Sequence, residues 1–273
     1  MEILGFAALA FVLWLGWLRW KHYRRARLFS AELPADWKAI LERNVPLYRR
    51  LPEELKPRLH GHVQVFLADM DFQGFQGQEI DDEVRVTIAG NACMLLLNRK
   101  GQFYANFSSI YVYPSTFIVD QESYDGVIAS IEQDHRLGES WHRGPVVLAW
   151  DSVLHGTFDV RDGHNVVLHE FAHKLDDMDG QVDGAPLFGS GPEAARWARV
   201  MQREFEDHVS RVDRHLPTVI DPYGATNPAE FFAVLTETFF EEPGHLHEHH
   251  PELYALMRHC YGLDPIHWRE PVA

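Results

Sequence analysis

Residues 166–180 read VVLHEFAHKLDDMDG. His169 and His173 stand four apart, with Glu170 directly after the first. On an α-helix, residues four apart lie one turn above each other on the same face. Two imidazole nitrogens can therefore meet one ion, and zinc accepts nitrogen ligands in a tetrahedron. Glu170 is rotated about 100° from His169. That keeps its carboxylate beside the ion without displacing a ligand, where it can take a proton from a zinc-activated water. The spacing alone arises by chance in roughly one chain in ten of this histidine content, so its surroundings carry the decision. Val166, Val167, Leu168, Phe171, Ala172 and Leu175 flank the polar positions with apolar ones. A helix packed by those residues buries two histidines and a glutamate, which is costly unless a metal pairs them.

A catalytic zinc site needs a third protein ligand and an open position for water. A third histidine just downstream is excluded, because DDMDG stands there. A glutamate on a later helix is the other common solution. AEFFAVLTETFFEE supplies Glu230 and Glu237, seven residues apart and so on one helical face. By this reasoning either can reach the ion. Asp176, three residues after His173, can orient a histidine as a hydrogen-bond acceptor or serve the helix end. DDMDGQVDG lacks the spaced carboxylates and terminal glutamate of a calcium loop. HLHEHH, residues 245–250, reads as a solvated surface patch.

The 273 residues, 46% hydrophobic, suffice for a sizeable core. Cys93 and Cys260 are the only cysteines, too few for a disulfide framework. The formal net charge of −15 repels phosphates and argues against direct nucleic-acid binding. Residues 3–18, ILGFAALAFVLWLGWL, carry no charge and are followed by RWKHYRRAR. The run is slightly short for a span of about 20 residues, but Trp17 and Trp20 suit an interface and Arg19 can snorkel. We expect residues 1–27 to form an uncleaved transmembrane anchor, with residues 3–20 in the bacterial cytoplasmic membrane. The basic flank then keeps residues 28–273 in the cytoplasm.

Residues 28–273 read as one catalytic domain, helical to about residue 100 and carrying the chemistry from about 101. Short helices are expected over 28–50. An amphipathic helix is expected from Leu51 with Pro52 at its first position, and another near 81–98. SSIYVYPSTFIVD, residues 108–120, reads as one or two strands broken at Pro114, and PVVLAWDSV, residues 145–153, as another, with a loop at 138–144. The motif helix ends near Gly180 and a long helix follows Gly191. Asn227, Pro228 and Glu230 form a capping arrangement at the start of a helix over 227–240. PELYALMRHCYG closes the chain with Gly262 as its stop. The fold class expected is α+β, mainly helical: a zincin-like domain with a small sheet and the motif helix, preceded by the membrane helix.

HEFAHKLD together with DPYGATNPAEFFAVLTETFF resembles the Mlc titration factor A family of bacterial zinc peptidases. NFSSIYVYPSTFIVD and SWHRGPVVLAWDSV resemble other segments of that family, and the likeness runs from about residue 35 to 265. The resemblance implies a gluzincin-like site, similar to the catalytic domain of anthrax lethal factor. It implies Glu230 as the third zinc ligand beside His169 and His173, and Tyr223 as a catalytic tyrosine donating to the oxyanion. Glu170 is then the general base, and a peptide substrate is expected to lie along a strand edge near PVVLAWDSV. The resemblance also implies a partner, a glucose-responsive transcriptional repressor of sugar uptake. Two functions follow: a zinc-dependent peptidase, or a protein that sequesters the regulator and whose peptidase activity is secondary.

Overall fold

The structure is a computed structural model that describes residues 2–99, 102–104, 106–115, 144–158, 163–180, 182–186 and 191–268. The loop expected at 138–143 and the second half of the strand reading at 116–120 lie outside the described residues. In chain order the elements are α1 (Glu2–Phe29), α2 (Ala35–Asn44), α3 (Pro46–Arg50), α4 (Lys56–Asp69), β1 (Asp71–Gly74), α5 (Asp82–Met94), β2 (Ser109–Tyr113), β3 (Val146–Ala149), α6 (Trp150–Phe158), α7 (Val166–Asp176), α8 (Pro192–Asp213), α9 (Pro228–Glu241), α10 (Pro243–His249) and α11 (Pro251–Tyr261). The chain is mainly helical, with a three-stranded parallel sheet in the order β1-β2-β3. Ile110 of β2 pairs with Phe72 on one side and Val146 on the other. Alternation along β2 sends Ile110 and Val112 into the core.

Several boundaries differ from the sequence reading. α4 begins at Lys56, with Pro57 in its first turn, and Pro52 lies in the preceding turn. Proline is accepted in any first turn because it lacks only an N–H that has no helical partner there. β1 was not anticipated: four residues immediately after α4 are too short to show a period. The strand expected over 145–153 stops at Ala149, and Trp150 opens α6.

The N-terminal expectation changes most. α1 does not stop where its apolar run stops but continues through the basic stretch to Phe29. Its last turns belong to the folded domain. Arg24 and Arg25 both bind the Asp69 carboxylate, at 3.2 and 2.6 Å, and Arg24 also donates to the Ala68 carbonyl. The Phe29 ring meets His62 of α4 edge-on. A Cβ on Gly61 would stand 2.5 Å from the Phe29 carbonyl oxygen, so only glycine permits this approach. Among the described residues, no helix is long and apolar enough to cross a membrane. The transmembrane segment expected at residues 3–20 is therefore not supported.

α7 is the centre of the core. Its Phe171 ring packs against Phe66 of α4, Tyr104 and Phe107, with centroids 5.1 to 5.7 Å apart. Burial of that ring stabilises the helix position by roughly 1.5–3 kcal/mol. α9 lies beside α7 and is buried along its length from Phe231 to Glu241. One hydrophobic cluster runs from Leu33 to Leu263 and joins the helical N-terminal part to the rest.

Candidate metal centre

Asn165 sets where α7 starts. Its side-chain oxygen accepts from the Leu168 N–H at 3.1 Å, which satisfies one of the free donors of the first turn. Four residues later the helix presents His169, and one turn on His173. α9 starts the same way, with Asn227 accepting from the Glu230 N–H at 2.9 Å. The two caps place the start of α9 opposite the middle of α7.

The side chains converge there. His169 Nε2 lies 3.3 Å from His173 Nε2 and 3.0 Å from Glu230 Oε2. His173 Nε2 lies 3.3 Å from the same carboxylate oxygen. A tetrahedral zinc site with bonds of about 2.0–2.2 Å has edges of about 3.3–3.6 Å. Two nitrogens and one oxygen at the observed spacing therefore fit a zinc ion with only slight expansion. Among the described residues this trio is the one group of three or more histidines, cysteines or carboxylates close enough to hold a metal.

Glu237, the other glutamate on that face of α9, does not join the trio. It is 5% exposed, and its Oε1 lies 2.8 Å from His169 Nδ1. The imidazole thus sits between two carboxylates seven residues apart on one helix, about 10 Å along its axis. Burial alone would lower the pKa of His169, but its hydrogen bonds with Glu230 and Glu237 raise it well above its ordinary value. Burial would likewise raise Glu230, yet hydrogen bonds from both histidines hold it far below the usual carboxylate range. For Glu237 burial prevails, and its pKa is raised.

The remaining predicted residues take distinct places. Glu170 is partly exposed, one position past His169 on α7. Tyr223 lies in a 3₁₀ turn, Pro222–Ala225, that Asp221 caps by accepting from the Tyr223 N–H at 2.7 Å. The tyrosine is 43% exposed, and its ring centroid stands 6.1 Å from that of His169. Asp176 is fully buried, and its two oxygens accept from the Gly184 and Ala185 N–H groups at 2.8 and 2.9 Å. Burial pushes its pKa up to about 7. Asp176 thus ties down the loop after α7. Sequence reasoning missed Asn165 and the role of Glu237. The signals were present: an asparagine just ahead of the motif, and two glutamates in phase on one face.

Two imidazoles and a glutamate carboxylate brought to one point, with a second glutamate beside them on the motif helix, make a candidate metal site. Comparison with known proteins supplies the family. The chain belongs to the family described as glucose-regulated metallo-peptidase M90, which it matches over residues 19–262. It is 42% identical to the protein slr2042 of Synechocystis sp., over 92% of each chain. It is 32% identical to Mlc titration factor A of Cronobacter sakazakii, over 89% of this chain and 91% of that one. The value is again 32% for Mlc titration factor A of Escherichia fergusonii, over 81% and 84%.

Proposed function

We propose that this chain is a zinc-dependent peptidase that hydrolyses peptide bonds. The observation that carries the reading is the convergence of His169 Nε2, His173 Nε2 and Glu230 Oε2. When bound there, zinc supplies Lewis acidity to the scissile carbonyl and to the attacking water. Glu170, adjacent to His169 and partly exposed, takes the proton that the water gives up and passes it to the leaving amine. Tyr223, an exposed residue whose ring lies beside His169, donates a hydrogen bond from its hydroxyl to the oxyanion. Substrate backbone runs along β3, an outer strand of the described sheet. Replacing Glu170 by Gln removes the base and leaves all three ligands in place. Peptide hydrolysis should fall at least 100-fold while zinc stays bound at one ion per chain. Wild-type turnover by Glu170→Gln would remove this residue from the mechanism.

The name of the relatives, a titration factor for Mlc, supports a second role for the same chain: capture of a transcriptional repressor. The acidic charge of −15 suits a basic partner. Glu170→Gln separates the two readings in calorimetry with an Mlc-type repressor. Sequestration predicts equal binding by wild type and variant, and a chain that acts only by hydrolysis binds neither way.

α1 supports attachment to the cytoplasmic face of a membrane. Phe11, Trp14, Trp17 and Trp20 are each more than half exposed, and Arg19 and Arg27 stay exposed beside them while Arg24 and Arg25 pair with Asp69. The full chain should sediment with membranes and resist protease added outside spheroplasts. Recovery in the soluble fraction, or digestion from outside, would discard this placement.

A further inference from the structure

Glu237 and Asn165 lie behind the metal centre, where neither can touch a bound ion through the atoms they present. Both oxygens of Glu237 are committed. Oε1 faces His169 Nδ1 at 2.8 Å, and Oε2 accepts from the Asn165 backbone N–H at 2.5 Å. Asn165 is 3% exposed and is committed just as fully. Its side-chain oxygen caps α7, and its amide nitrogen donates to Glu241 Oε1 at 3.1 Å and Asn91 Oδ1 at 3.3 Å. Three helices, α5, α7 and α9, meet through this one asparagine.

We propose that Glu237 and Asn165 are a positioning pair that orients His169 for metal. The inference rests on the metal-site reading above. A metal ligand must be the neutral imidazole, and in that form a carboxylate on Nδ1 keeps the one proton there and leaves the lone pair on Nε2, the nitrogen on the side of Glu230 and His173. The Asn165 N–H fixes the other carboxylate oxygen, so the carboxylate plane cannot swing away from the ring. Because Asn165 also caps α7, the register of the helix that carries the ligands and the carboxylate that aims the first ligand are set by one residue. The pair thereby replaces some of the ordering that the metal would otherwise have to impose.

Glu237→Gln tests this. A glutamine can accept from His169 Nδ1–H or from the Asn165 N–H through its one oxygen, but its NH2 then meets the second donor. The full chain is loaded by Zn2+ in competition with a chromophoric chelator, and its apo form is melted in parallel. Zinc affinity should drop 10- to 100-fold, and the stabilisation of the melt by zinc should shrink, while the apo chain still unfolds cooperatively. Wild-type zinc affinity in Glu237→Gln would overturn the inference. Should that variant not fold, Glu237→Asp keeps the carboxyl group but withdraws it by one methylene, and the same two outcomes apply. His169→Ala and Glu230→Gln are run alongside. If wild type itself takes up no zinc, the metal-site reading fails. If it does, and only these two variants lose zinc while the Glu237 variants keep it, the positioning pair alone fails.

Discussion

Tyr223 shows how much a single side chain can owe to its turn. The Asp221 cap and the Thr226 hydroxyl, which donates to the Tyr223 carbonyl at 2.7 Å, hold its backbone on both sides. The ring is therefore presented to solvent next to His169 rather than packed away. Tyr223→Phe removes only the hydroxyl. Under the proposed mechanism kcat should fall by about 10²–10³ with little change in zinc affinity, and an unchanged kcat would rule out an oxyanion role. His62 makes a different point at the same scale. It is 1% exposed, set against Phe29 and Phe103, and its Nδ1 has no hydrogen-bond partner among the described residues. Burial pushes its pKa from 6.5 down to about 4, and nearby Arg58 adds to the effect. Between those two pH values the unfolded chain binds the proton and the folded chain resists it. Stability is therefore lost as pH falls from 6.5 to 4, by roughly 3 kcal/mol at most from this residue, and no further below. His62→Leu lacks this penalty. Its melting temperature relative to wild type should rise steadily across that window, and a pH-independent difference would assign the acid limb to other groups.

At the scale of elements, the candidate site is made by two helices with asparagine caps, and its precision depends on how their ends are pinned. The loop after α7 does part of this. Gly184 donates to Asp176, its carbonyl accepts from the Trp197 indole at 2.8 Å, and its Cα lies against Pro228 at the start of α9. Its φ of +76° is left-handed, and a Cβ there would stand 2.5 Å from the Pro228 carbonyl oxygen. Gly184→Ala should therefore cost about 1–3 kcal/mol. It should also weaken zinc binding, because Pro228 is only two residues before Glu230. A variant with wild-type melting and wild-type zinc affinity would show that α9 is pinned elsewhere. The helices themselves were legible in sequence, because the motif, the Asn227 cap and the 3.6-residue period each lie within one element. β1 and the change from β3 to α6 at Trp150 were not. Four-residue strands carry too little pattern, and what makes them strands is pairing with residues far away in sequence.

Over the whole molecule, one core joins segments from Leu33 to Leu263, and the basic end of α1 is anchored to that core through Asp69. The charge pattern alone read as a membrane flank, because a run of arginines after an apolar segment looks the same whether it meets lipid headgroups or a carboxylate of its own fold. What the sequence by itself determined is what spacing can encode: two histidines and a glutamate on one helix, two glutamates in phase on a later one, and the Asn227 cap that starts the later one. Residue spacing could not say which of Glu230 and Glu237 faces an ion, and the resemblance to a family was needed to favour Glu230. Only the tertiary structure decided how the work is divided. Packing α9 along α7 brings Glu230 to the Nε2 side of His169 and Glu237 to its Nδ1 side. Both glutamates lie on the same face of one helix, so only the position of the histidine ring between them can tell them apart.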